Sequence, residues 1–392
     1  MNLRIRRWRV SVLWFLLVFQ NETYAQSWGM NEVSQLLPLP SVSEFDVLLR
    51  PADQGTIGEL LPYSAFKLLP LLTDQADQDS LYQNNLKVIG IRIDPCFGEG
   101  VNPPLCRHQI RLVWQPLVIV GDQVTTLDTA IHTFHEFNES DWQLVLTDFR
   151  MIILEARQVH RNDFNDSLQI QPVLRAEGYR GNYWKKLREF VLRYCGNQNL
   201  IRATAMTVRM SRLWTFSGID RTATGWSLIH IPTLDIERPV SQTFMLTPEG
   251  MENLEEFAGG ISYLPKTEAM WFRLASDSKR VKELQSTVEI KSIIQRAIRL
   301  ENPRMHNPGT ADCVSCHMAQ TVRLWGEKNF PHWNWQKEFG SDRFKNSNRD
   351  LRNNSVNPFQ TDRVRAFGYF GDDPIISQRV IHETALVSDA LK

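Results

Sequence analysis

Cys313, Cys316 and His317 fall within five consecutive residues, Cys313-Val314-Ser315-Cys316-His317. Two thiols two residues apart, followed at once by an imidazole, can oxidise to a disulfide, share a metal or hold a prosthetic group covalently. One short helical turn would present both sulfurs and the ring in the same direction. At this composition the run is expected about 0.001 times by chance. Thioredoxin-like exchange needs a βαβ context, and the Asn- and Pro-containing segment 302–310 before the motif is not a strand. A structural zinc site needs four ligands, usually from a second pair at similar spacing, and the sequence offers none. A plain Cys313–Cys316 disulfide stays open.

The C-x-x-C-H run resembles the haem-attachment motif of c-type cytochromes. The resemblance implies one covalent haem c, with thioethers from Cys313 and Cys316 and with His317 as the proximal iron ligand. It covers five residues of 392 and brings no cytochrome fold with it. Small cytochromes carry the motif near the N-terminus, with a ligating Met further on. Here no Met follows Met318, which adjoins His317 and cannot cross the ring. Four-helix-bundle cytochromes carry a late motif, but the strand-rich body argues against that fold. The sixth ligand is then a His, an upstream Met such as Met305 or Met270, or absent. Two candidate distal ligands stand out. His332 lies among Trp325, Phe330, Trp333 and Trp335, and His306 precedes the turn Asn307-Pro308-Gly309. His382 reads as a packed or exposed side chain.

Other chemistry-bearing residues are less specific. Cys96 and Cys106 enclose a loop with Gly98, Gly100, Pro103 and Pro104, turn formers that favour a structural disulfide, by the chain-entropy model worth roughly 2–3 kcal/mol. Cys195 reads as a buried small hydrophobe. His132-Thr133-Phe134-His135-Glu136 is H-x-x-H-E, not the H-E-x-x-H that sets two His on one helical face. On a strand those two imidazoles point to opposite sides. No nucleophile elbow, phosphate-binding Gly loop or dinucleotide fingerprint is present, so no catalytic residue is assigned.

The surrounding elements must position the motif. Apolar alternation predicts strands over 87–94 and 109–120, and again over 201–210, 213–219, 226–231 and 243–246, the latter set as an antiparallel meander. Helical spacing appears from Ser140, read as an N-cap, through Ile153, then over 183–194, 278–285 and 289–300. Residues 28–75, rich in Leu and Pro, read as an extended wrapping segment. Strands and helices come in runs, which favours an α+β class over a doubly wound sheet. From Trp325 to Phe370 ten aromatic residues crowd a stretch poor in aliphatics, suited to laying flat surfaces over something large. Residues 374–391 return to a helical pattern.

Lys+Arg and Asp+Glu are both 44, so the net charge is zero and no basic footprint for nucleic acid appears. Arg4, Arg6, Arg7 and Arg9 precede the apolar run Val10–Phe19, and Thr23-Tyr24-Ala25 fits a cleavage site. That is the three-part pattern of a secretory signal, too short for a spanning helix. No later segment is long and apolar enough to suggest a membrane span in the mature chain. The expected organisation is a signal peptide at 1–25, an α+β body at 26–300 and a haem-binding segment at 301–392. The expected protein is a periplasmic or secreted monohaem electron carrier of a Gram-negative bacterium, with an unidentified redox partner protein. Two alternatives stand beside it: a haem oxidoreductase or sensor with an open distal site, and a binding protein whose haem or disulfide only staples the C-terminal segment.

Overall fold

The computed structural model describes residues 28–99, 105–160, 167–210, 212–246, 259–266, 271–284, 286–349, 351 and 364–391. The segment 1–25, expected to be a signal peptide, and Met270 lie outside them. In chain order the strands are β1 (Ser34–Leu36), β2 (Gln54–Gly55), β3 (Gly58–Glu59), β4 (Leu86–Glu99), β5 (Leu105–Val120), β6 (Gln123–Thr126) and β7 (Ala130–Phe137). They continue as β8 (Leu200–Arg209), β9 (Leu213–Thr222), β10 (Gly225–Leu228), β11 (Ser241–Leu246), β12 (Gly259–Ile261), β13 (Phe367–Phe370) and β14 (Asp373–Ile376). Ten of these form one antiparallel sheet in the order β1-β4-β5-β7-β8-β9-β11-β12, with β6 beside β5 and β10 beside β9. The expected α+β class holds: the neighbouring long strands pair antiparallel, and the longer helices come in runs between β7 and β8 and after β12.

The helices are α1 (Met30–Val33), α2 (Tyr63–Phe66), α3 (Gln78–Ser80), α4 (Glu139–Val159), α5 (Pro172–Glu177) and α6 (Asn182–Tyr194). After the sheet come α7 (Phe272–Ser276), α8 (Ser278–Leu284), α9 (Thr287–Leu300), α10 (Cys313–Asn329), α11 (Trp335–Phe339) and α12 (Gln378–Ala390). The N-cap of helix α4 lies two residues before the expected one. Asn138, not Ser140, accepts the Asp141 amide at 2.9 Å, and Ser140 donates its hydroxyl to Asn138 instead. The apolar face Trp142, Val145, Phe149 and Ile153 is buried as its spacing required. None of the helices in the described residues is long and apolar enough to cross a membrane.

Two buried clusters divide the core. One joins β1, β4, β5 and β7 to α4, α6 and α12, and includes Phe367, Tyr369, Ile376 and Ile381 from the C-terminal part of the chain. The other joins the outer strands β8, β9 and β11 to α7, α9 and α10 through Trp214, Phe244, Trp271, Ile294 and Val322. Close approach of α9 and α10 depends on Gly326, where a Cβ would stand 2.5 Å from Ile294 Cδ1. The terminal helical pattern begins later than its apolar residues suggest. Ile376 belongs to the β13–β14 hairpin, and α12 starts at Gln378 behind the Ser377 cap. Tyr369 anchors that hairpin by donating its amide to Gln115 Oε1 at 2.7 Å and its hydroxyl to the Leu37 carbonyl at 2.6 Å. Cys96 and Cys106 form the expected disulfide between β4 and β5, with Cα atoms 4.6 Å apart.

Candidate functional site

The C-x-x-C-H run opens helix α10, and its two inner residues fix it to the body. Asp312 is the N-cap and accepts the Ser315 amide at 3.0 Å. Gln242 on β11 donates to the same carboxylate at 2.8 Å and accepts the Val314 amide at 3.0 Å. Trp271 Nε1 donates to Ser315 Oγ at 3.1 Å. Val314, Ser315, Met318, Val322 and Trp325 are thereby turned into the core. Cys313, Cys316 and His317, at i, i+3 and i+4, come to the other side together. All three line one cavity of about 390 Å³.

The facing wall of the cavity is the sheet. Paired residues run across its strands in rows: Arg92, Arg111, Phe134, Arg202; then Val113, His132, Thr204, Gly218; then Ala130, Met206, Phe216. Thr204 is small and lines the cavity, whereas Ile229 fills the space over Gly218, where a Cβ would stand 3.0 Å from its Cδ1. Phe367 closes over β4 where Gly90 allows it, since a Cβ there would lie 2.7 Å from the ring. The turn 307–309 forms the rim next to Cys313.

His317 has its tautomer set by a neighbour. Nδ1 is hydrogen-bonded to the Val364 carbonyl, which can only accept, so the proton sits on Nδ1 and Nε2 keeps a lone pair. The ring packs on Phe216 with centroids 4.7 Å apart. Burial holds the His317 pKa below its ordinary value, so the ring is neutral. Burial likewise pushes the Cys313 thiol up to about 12, with Asp312 adding to it, and the Cys316 thiol up to about 11. Both are free thiols, not joined to each other. Protonated thiols are poor nucleophiles and poor zinc ligands. Among the described residues no group of three or more His, Cys, Asp or Glu side chains could hold a metal ion.

Two groups on the sheet wall were not assigned from sequence. His132 has no hydrogen-bond partner among the described residues, and burial, then Arg111 and His317, pulls its pKa down to about 3. It is a neutral imidazole facing the cavity. His135, three residues on, instead meets Asn199 Oδ1 at 3.2 Å, as alternation requires. Arg111 caps the touching Phe97 and Phe134 rings, whose centroids are 5.7 Å apart, with its guanidinium 4.6 and 4.8 Å from them. Burial, then Arg92, lowers its pKa to about 10, which leaves it charged at neutral pH.

The distal candidates named from sequence stand elsewhere. His332 is exposed beside Trp333 and does not line the cavity. Its aromatic neighbours Trp325, Phe330, Trp333, Trp335 and Phe339 stack on one another toward the far end of α10. Of the crowded aromatic stretch, Phe367 alone among the described residues reaches the cavity wall. His306 is buried with Nδ1 3.2 Å from the Thr310 carbonyl, and it too is absent from the lining. Met305 is half-buried outside the cavity, whereas Met206 lines it. His382 donates its Nδ1–H to the Glu301 carbonyl, 2.8 Å away, which again makes Nδ1 the protonated nitrogen. Cys195 is buried, as a small hydrophobe would be.

Compared with known protein families, curated proteins and solved structures, the chain matches none.

Proposed function

We propose that the chain is an exported protein that holds one covalent haem c between its sheet and helix α10, and uses it for one-electron transfer. The observation that carries this reading is the convergence of both thiols and the His317 imidazole on one cavity wall. The donor set suits the group: two neutral thiols, an imidazole whose Nε2 is free to ligate, and a carbonyl that holds Nδ1–H. When bound, the haem iron supplies a centre that takes up and releases one electron. Cys313 and Cys316 would fix the porphyrin, and Val364 would orient His317. Besides His317 the cavity is lined by exposed His230 and by His132 on the sheet, and His132 replaces His332 and His306 as the proposed sixth ligand. Phe134, Phe216 and Phe367 keep water from the interior, which favours a stable potential.

A haem oxidoreductase or sensor is the second reading, favoured by the unpartnered His132 and Arg111 in the same cavity. The leader implies the periplasm or cell surface as the compartment, with a redox protein as partner.

The test is expression with its leader alongside haem-maturation machinery. The purified chain should be heavier by one haem, keep its colour after denaturing electrophoresis and lose it in Cys313→Ala/Cys316→Ala. A chain without haem, with the two thiols intact or oxidised to each other, would overturn the reading. A low-spin spectrum supports electron transfer; a high-spin, CO-binding one supports the second reading.

A further inference from the structure

Five arginines line the cavity, and four have a carboxylate partner. Arg202 grips Asp220 through Nε and Nη2 at 2.5 and 2.9 Å. Arg365 is paired with Asp128. Arg92 lies 2.7 Å from Glu383 and 3.2 Å from Asp94, and Arg379 Nε donates to Glu383 at 2.6 Å. Arg111 is the exception. Among the described residues it forms no ion pair, and its Nε and Nη2 are shut off from solvent without a hydrogen-bond partner.

The local charges do not close without an addition. Arg92, Arg111 and Arg379 share only Asp94 and Glu383, so one positive charge remains unmatched on the cavity side of the sheet. Arginine cannot shed its proton to relieve this. The two phenyl rings beneath it offset part of the cost, because a cation over a ring face is attracted by it. They satisfy no N–H. Nε and Nη2 are covered by neighbouring atoms, so Nη1 is the group of the guanidinium that Arg111 offers to the cavity. Its natural complement is an anionic oxygen, such as the carboxylate oxygen that Asp220 presents to Arg202 Nη2.

We infer that Arg111 is a carboxylate-anchoring residue of this cavity. The carboxylate comes either from a propionate of the porphyrin or from a free small carboxylic acid that enters beside it. The porphyrin source rests on the haem reading, and the free-acid source does not.

Arg111→Gln and Arg111→Lys in the full-length purified chain separate these cases, with circular dichroism confirming that each variant is folded. If a propionate is the partner, both variants keep the haem by mass. The midpoint potential of Arg111→Gln then acquires a step between about pH 5 and 8, because a carboxylate without its cation titrates higher. Wild type and Arg111→Lys lack that step. If a free acid is the partner, benzoate should bind wild type saturably, as seen in the visible spectrum, and about tenfold or more weaker in Arg111→Gln. Should the chain carry no haem, the haem reading fails by itself, and benzoate calorimetry on the haem-free chain still decides the Arg111 site. Folded Arg111→Gln with an unchanged potential profile and unchanged benzoate binding would overturn the inference.

Discussion

Gln242 and Asp312, 70 residues apart in sequence, meet at 2.8 Å, and the same amide side chain accepts the Val314 N–H at 3.0 Å. One residue of the sheet thus holds the cap and the first turn of the helix that presents both thiols. Burial raises the pKa of Asp312, against its bonds from Ser315 and Gln242, so the carboxyl depends on those donors. Gln242→Ala removes three hydrogen bonds, the third to the Tyr263 carbonyl, and leaves a buried carboxyl and a buried N–H short of partners. We expect a loss of about 2–3 kcal/mol in urea denaturation, and a lower yield of covalent haem from a chain that still contains both cysteines. An unchanged yield and midpoint would mean that α10 is positioned without this clamp.

His132 is expected to be the sixth ligand. His132→Ala should convert a low-spin spectrum to high-spin and admit CO, with Cys313 and Cys316 still modified. His332→Ala, on the exposed side of the aromatic cluster, should leave the spectrum as it was. Met206→Leu tests the thioether on the same wall, and conversion there but not at His132 would reassign the ligand.

Acid should weaken the fold through its buried neutral imidazoles. Burial pulls His382 and His135 down to about 4, whereas the unfolded chain protonates them near 6.5. The unfolded state therefore binds more protons as pH falls from about 6.5 to 4, and stability is lost across that window; each group accounts for up to about 3 kcal/mol. His382→Gln should flatten the dependence of the urea midpoint on pH. A slope equal to wild type would place the acid sensitivity elsewhere.

The Cys96–Cys106 bridge closes a short loop between two long paired strands. Replacing both cysteines by Ser should cost about 2–3 kcal/mol, read as a lower denaturation midpoint, while haem attachment at Cys313 and Cys316 persists. Loss of attachment in that variant would link the bridge to the site.

The long strands and helices were legible because their apolar residues repeat with the period of the element that buries them. Trp142, Val145 and Phe149 declare a helix whatever lies around them, although the cap at Asn138 is decided by a single side-chain bond that spacing does not encode. The chemistry of α10 was legible for the same local reason: three reactive groups stand within one turn. Its opposite wall was not. Arg92, Arg111, His132 and Arg202 occupy alternate positions of four strands, and in sequence each looks like the solvent side of a half-buried strand. Nothing along the chain distinguishes a polar face turned to water from one turned to an interior cavity. The aromatic run around His332 misdirects for the converse reason, since its rings fill each other's gaps instead of covering the site.

The two ends of the described chain hold each other. Ser34 Oγ lies 2.8 Å from Thr384 Oγ1, Arg349 and Ser388 both donate to the Trp28 carbonyl, and Arg92 grips Glu383 across 291 positions. Contacts of such sequence separation carry a large loop-closure cost before they return any stability, so they form late. The cavity inherits this order of events, for its walls come from residue 34 at one extreme and residue 383 at the other. A chain threaded out N-terminus first would expose its strand edges until α12 arrives. The thiols of α10, near that late end, would meet an enclosing wall only at the final docking step.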